Sequence, residues 1–182
     1  MQKRVVLIIG PKHSGKSLCA QALKKILGWD TVDLDKLIEA QSGKTPRELF
    51  LEGQKFFQKA ETTAMASLVK RDCLIIAAGG GFIDNSDAIK IISETKSRRG
   101  IVSVCLDISA ETAWQRITKA AVNGALPPFL NTENPGETHL ALHNRRKEAY
   151  RAMADIIISA ENKSPEDIAL EIAVQLPGHW AK

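Results

Sequence analysis

Eight residues, GPKHSGKS at positions 10–17, constrain the fold of this chain more than any other stretch. An apolar run, VVLII, precedes them at 5–9, and apolar residues at helical spacing follow from Ser17 to Leu27. The pattern GxxxxGK[ST], set between a buried strand and a helix, has a physical logic. Its glycines let the backbone turn tightly and approach a ligand. Successive amide hydrogens then point into an anion-sized hollow. The helix behind it offers unpaired amides and the positive end of its dipole. Lys16 is placed to reach the β- and γ-phosphates of a nucleotide, and the Ser17 hydroxyl to ligate Mg²⁺. The alternative is an ordinary strand–turn–helix connection. The pattern in this context predicts binding of a nucleoside triphosphate such as ATP through Gly10, Lys12, Ser14, Gly15, Lys16 and Ser17. His13 is read as a variable, outward-pointing position without a role.

The rest of the chain supports an α/β fold. Short runs rich in aliphatic residues occur at 5–9, 31–32 leading into Asp33, 74–77, 101–106 and 156–158. They are nearly continuous in hydrophobicity, as strands buried on both faces must be. Helical stretches alternate with them: 17–27, a helix begun by Thr45 and Pro46 and ended near Gly53, then 54–70, 86–94, 110–118, 140–152 and a last helix begun by Ser164 and Pro165. Strands alternating with helices predict a parallel sheet with right-handed crossovers. One segment, 120–139, has two glycines, three prolines and no periodicity. A loop of that length inside a compact domain reads as a lid or as disorder.

With 182 residues, the chain suits one domain spanning 1–182, and 44% hydrophobic with 25% charged residues is a globular composition. No apolar run approaches the roughly 20 residues of a membrane span. The apolar part of the N-terminal segment is too short for a signal peptide core, so a cytoplasmic protein is expected. Cys19, Cys73 and Cys105 are read as small buried hydrophobes, since no two are spaced for a metal pair. The net charge of +4 is scattered, and the densest basic group, KSRR at 96–99, reads as a solvated loop. That argues against a nucleic-acid partner and suits small anionic ligands. Without a long heptad pattern, a monomer is expected.

Two further stretches complete a candidate site. TVDLDKLIE places Asp33 and Asp35 at the end of the second strand, where ligands of open α/β sheets bind. One carboxylate can hold Mg²⁺ while the other orients or deprotonates an attacking hydroxyl. The competing reading makes Asp35 the N-cap of a helix starting at KLIEAQ. After the third strand, Gly79, Gly80 and Gly81 let a substrate lie against bare backbone.

These features, in this order and close to this spacing, resemble shikimate kinase. The phosphate loop, the Asp-x-Asp, the LEG…F…E stretch at 51–61, the three glycines and RKEAYRAMAD near the end carry the resemblance, over roughly residues 3–175. It implies a three-layer α/β/α P-loop kinase with a five-stranded parallel sheet in the order 2-3-1-4-5. It also implies an acceptor-binding helical segment at about 34–62 and a mobile lid at about 119–139. The implied reaction moves the γ-phosphoryl of ATP to the 3-hydroxyl of shikimate with Mg²⁺. Lys16 and the loop amides would hold the phosphates, and Ser17 and Asp33 the metal. Asp35 would meet the acceptor hydroxyl as a catalytic group. Gly79, Gly80 and Gly81 would line the acceptor pocket, with Glu61 orienting an arginine, Arg146 gripping the acceptor carboxylate and Arg116 lying beside the adenine.

Two positions depart from the family pattern. Phe57-Gln58-Lys59-Ala60-Glu61 carries Gln58 where the family has a carboxylate-binding arginine. The stretch Pro127-Pro128-Phe129-Leu130 replaces a lid motif that begins with arginine, and no Arg or Lys occurs from Ala120 to His139. The nucleotide half is therefore expected intact and the acceptor half altered. Three readings follow: a shikimate kinase, a related kinase with a different hydroxyl acceptor, or a nucleotide-binding regulatory protein without turnover.

Overall fold

The computed structural model of the chain describes residues 4–96, 100–121, 125–178 and 180. Its strands are β1 (Arg4–Ile9), β2 (Asp30–Asp33), β3 (Leu74–Ala77), β4 (Gly100–Asp107) and β5 (Ile156–Ser159). They form one sheet in the order β2-β3-β1-β4-β5, and every pairing is parallel. Between them run α1 (Lys16–Leu27), α2 (Leu34–Ser42), α3 (Pro46–Glu52), α4 (Gln54–Leu68), α5 (Ser86–Lys96), α6 (Ala110–Ala120), α7 (Pro135–Met153) and α8 (Pro165–Gln175). This is the three-layer architecture and strand order expected from the sequence.

The apolar runs explain the layers. Cβ atoms alternate across a strand, so β1 sends Val6 and Ile8 into one core and Val5, Leu7 and Ile9 into another. Against the first face pack Leu23 of α1 and Ile168 and Ile172 of α8. Against the second pack Ile38 of α2, Met65 of α4 and Ile92 of α5. All five β1 residues from Val5 to Ile9 are fully buried. A strand alternating with polar residues could not sit there.

Register fixes where the loops leave the sheet. Ile8 lies opposite Ala77 of β3 and Val104 of β4, and the Ala78 amide donates to the Ile8 carbonyl at 3.0 Å. The segments that follow β1 and β3 therefore emerge side by side.

Helix starts follow capping chemistry. Thr45 accepts from the Glu48 amide, Glu48 reaches back to the Thr45 amide, and Pro46 occupies the first turn. One start decides between the two readings of Asp35, and one differs from expectation. The N-cap of α2 is Asp33, whose Oδ1 accepts from the Lys36 amide at 3.3 Å, so Asp35 falls in the first turn and caps nothing. Helix α7 begins at Pro135 rather than Leu140. Pro135 fits because the first-turn N–H it lacks has no helical partner. Gly136 follows against the Trp114 ring of α6: a Cβ there would lie 3.8 Å from it. The last part of the segment read as a lid, 135–139, is thus helical, and Pro128–Leu130 forms a single 3₁₀ turn. Residues 97–99 of the basic run and 122–124 of the lid lie outside the described residues. Trp180 is buried and packs its ring 5.6 Å from that of Trp29. Among the described residues, no helix is long and apolar enough to cross a membrane.

Candidate active site

The loop after β1 is held open by its glycines. Gly10 adopts a φ of 140°, and a Cβ on it would lie 2.5 Å from the Leu106 carbonyl of β4. Only glycine lets the chain turn that close to the neighbouring strand. His13 and Gly15 also have positive φ, at 61° and 94°. This alternation turns consecutive amides towards one hollow. Lys16, 8% exposed, lies across it: its Nζ donates to the Gly10 carbonyl at 3.0 Å and the Pro11 carbonyl at 2.7 Å. Burial pushes its pKa down to about 8, with Asp35 opposing and Lys12 adding to the fall. An anion bound in the hollow would restore the charged form. The His13 side chain is exposed, as expected, but its carbonyl accepts from Arg116 Nη1 at 3.2 Å. Arg116, on α6, thereby sits at the rim of the loop.

Beside the hollow, Ser17 Oγ donates to Asp33 Oδ2 at 2.6 Å. A hydroxyl and a carboxylate that close together form a hard oxygen pair of the kind Mg²⁺ takes, with phosphate oxygens and water supplying its remaining ligands. Among the described residues, no three His, Cys, Asp or Glu side chains converge as a metal cage. Ser17 and Asp33 thus fit an ion carried by a phosphate ligand rather than one enclosed by protein.

Asp35 stands at the centre of the cleft. Its Oδ1 is buried without a hydrogen-bond partner among the described residues. Burial raises its pKa, the Asp33 charge adds to the rise, and Lys12 and Lys16 oppose it. It lies directly over Gly79, where a Cβ would come within 2.8 Å of Oδ1. Gly80 presses on the phosphate loop itself: a Cβ there would meet the Lys12 amide nitrogen at 2.9 Å. Lys12, Lys16, Ser17, Asp33, Asp35 and the Gly79–Gly80 backbone line one cleft of about 250 Å³. Of the residues expected from the sequence, Lys12, Gly15, Lys16, Ser17, Asp33, Asp35, Gly79 and Gly80 line this cleft, whereas Gln58, Gly81, Arg116 and Arg146 do not.

The acceptor side differs from expectation in its pairing. Arg146 of α7 is present and largely buried, but it is already engaged. Its Nε and Nη2 donate to Asp84 Oδ2 at 2.9 and 2.5 Å, and its Nη1 donates to the Gly80 carbonyl at 3.2 Å. The Tyr150 hydroxyl donates to the same carbonyl. Arg145 adds a second guanidinium, 2.9 Å from Asp84 Oδ1. Gln58 Nε2 donates to the Asp84 backbone carbonyl at 2.9 Å, and so braces the loop. Glu61 has no arginine partner among the described residues. Its Oε2 accepts from Asn85 Nδ2 at 2.8 Å, and its Oε1 is buried without a partner there. Burial pushes Glu61 up to about 7 against the Asn85 hydrogen bond.

Asp84, on which both arginines and Gln58 converge, is a site residue that the sequence reading does not include. The only hint was a carboxylate three positions after the glycines. Arg47 was missed as well: from α3 it donates to the Leu126 carbonyl at 3.3 Å, tying the acceptor-side helices to the segment before α7. In that segment, the Phe129 ring lies 5.8 Å from Arg146 Cζ.

Comparison with known proteins bears on this site. The sequence model of the shikimate kinase family matches residues 12–177. A shikimate kinase from Hahella chejuensis is 33% identical over 178 residues, spanning 96% of this chain and 86% of the relative. One from Actinobacillus pleuropneumoniae is 30% identical, spanning 94% of each. Among solved structures, a shikimate kinase from Acinetobacter baumannii in complex with shikimate aligns with a TM-score of 0.82 at 28% identity, spanning 96% of both chains.

Proposed function

The chain belongs to the shikimate kinase family and is an ATP-dependent phosphotransferase acting on an alcohol, and we propose that it moves the γ-phosphoryl of ATP to a hydroxyl of shikimate. The observation that carries this reading is Asp35, its Oδ1 without a hydrogen-bond partner among the described residues, beside the phosphate hollow and bare glycine backbone. A base so placed serves an acceptor hydroxyl lying on Gly79.

Phosphoryl transfer depends on positioning and charge neutralisation more than on covalent help. The loop amides and Lys16 hold the phosphates, and Arg116 lies at the adenine side. Ser17 and Asp33 would hold Mg²⁺, which would supply charge neutralisation for the phosphates. Gly79, Gly80 and Gly81 with Arg146 hold the acceptor, and Gln58 acts through the Asp84 loop. Asp35 takes the hydroxyl proton as the new P–O bond forms and ADP leaves. Residues 125–134, before α7, close over both ligands. A monomer acting in the cytosol is part of the same proposal; the free cysteines Cys19 and Cys105, both buried, suit a reducing compartment.

One observation favours a second reading, a kinase with another hydroxyl acceptor: Arg146 is paired with Asp84, and Gln58 offers no charge. ADP release from Mg-ATP, with and without shikimate and beside Lys16→Met, separates the two. Shikimate-dependent turnover, at least about 10³-fold lower in the variant, is expected. ADP release that shikimate does not raise would remove shikimate as the acceptor, and a screen of neutral polyols would then test the second reading.

A further inference from the structure

Two guanidiniums, Arg145 and Arg146, converge on one carboxylate of this chain's own, Asp84. Side chains of Asp84 and Arg146 are each 16% exposed, so the pair is shielded but reachable. Asp84 Oδ2 receives both Nε and Nη2 of Arg146, a geometry that a bound carboxylate would otherwise take. The position is braced: Gln58 holds the Asp84 carbonyl, and Asn85, the next residue, donates its Nδ2 to Glu61 Oε2 and to the Gln58 carbonyl. Burial works against the Asp84 charge, but the hydrogen bonds from Arg145 and Arg146 outweigh it and hold its carboxyl below the ordinary range. Two positive charges face one negative charge, and a single net positive charge remains for an acceptor.

We propose that Asp84 is a specificity-determining residue: a built-in carboxylate that competes with the acceptor's own carboxylate for Arg146. The pocket therefore binds an anionic acceptor more weakly, and prefers it less over a neutral polyol, than the same pocket with Arg146 free. This rests on Arg146 being the acceptor-binding arginine. A purely structural Asp84 would behave in the opposite way, since its loss would let Arg146 swing out of place and weaken acceptor binding.

The test is direct binding of shikimate and of its uncharged methyl ester, by calorimetry in the presence of a non-hydrolysable ATP analogue. Wild type is compared with Asp84→Asn, which adds a net positive charge, and Arg145→Gln, which removes one. Affinity for shikimate is expected to rise about tenfold in Asp84→Asn and to fall by a similar factor in Arg145→Gln. Affinity for the ester is expected to stay level across the three proteins. Circular dichroism and binding of the ATP analogue report whether each variant is folded. An Asp84→Asn protein that binds shikimate no more tightly than wild type, or that gains equally for the ester, overturns the proposal; if that variant does not fold, an Arg145→Gln protein that binds shikimate as tightly as wild type, or that loses equally for the ester, overturns it instead. Tighter binding by Asp84→Asn in a protein that does not turn shikimate over would retain the role of Asp84 and remove shikimate as the substrate.

Discussion

On the nucleotide side of the cleft, Lys16 finds its partners five and six residues back, in the carbonyls of Pro11 and Gly10. On the acceptor side, Arg146 reaches Asp84 across 62 positions, and Gln58 reaches the same residue across 26. The first half is a short loop that carries its own geometry, largely in backbone amides. The second is assembled from α4, α7 and the turn after β3, and its specificity lies in side-chain charge. A backbone cradle tolerates little variation in glycine and lysine but makes no demand on distant residues. A side-chain clamp can be retuned by one substitution on any contributing element.

Three experiments test this division. The largest effect is expected from Asp35→Asn, which should lower kcat about 10²–10⁴-fold while leaving the dissociation constant for ATP nearly unchanged. Because burial raises the pKa of Asp35, kcat/KM for the acceptor should climb with pH as the carboxylate forms, and the variant should lose that climb. A comparable loss of ATP binding would show that the halves are not separable at Asp35. Gly80→Ala probes their seam. Its methyl group would press on the Lys12 backbone, and the overpacking is expected to reduce stability by about 1–3 kcal/mol and to weaken both ligands together. Urea unfolding and paired titrations measure both effects.

The smallest effect on either ligand is expected from Glu61→Gln, which concerns stability alone. Burial lifts Glu61 from 4.5 to about 7, so the folded chain holds a proton that the unfolded chain releases between those values. The stability contributed by that proton is complete below about pH 4.5 and is lost as pH rises through about 7. A neutral amide at this position would mimic the protonated form. The variant should match wild type near pH 4.5 and exceed it by about 1–3 kcal/mol at pH 8, read from urea midpoints. Equal stabilities at pH 8 would mean that Glu61 ionises without penalty.

The same division explains what the sequence made legible. The phosphate loop and the alternation of strands with helices could be read because each depends on contiguous residues: a glycine-lysine spacing in one case, short aliphatic runs between helical stretches in the other. The strand order was legible only through the resemblance to shikimate kinase. Asp33 and Asp35 were visible as a pair, but only the fold separates their roles, since Asp33 both caps α2 and meets Ser17 while Asp35 buries an oxygen that has no hydrogen-bond partner among the described residues. The start of α7 was hidden because Pro135 and Gly136 read as a loop, although proline suits a first helical turn and Trp114 packs against the glycine. Asp84 was invisible for a deeper reason. Nothing near FIDN says that two arginines some sixty positions later will close on it.

The level at which β1 and β3 release their loops has a consequence for how such a chain can change length. Helices on either face can gain or lose residues and repack, because only their apolar stripes touch the sheet. Deleting one residue from β1 or β3 would slide donor loop against acceptor loop by about 3.3 Å and turn the strand's core side chains to the opposite face. Insertions and deletions among working relatives should therefore gather in helices and in the segment before α7, and avoid the stretch where Ile8 faces Ala77.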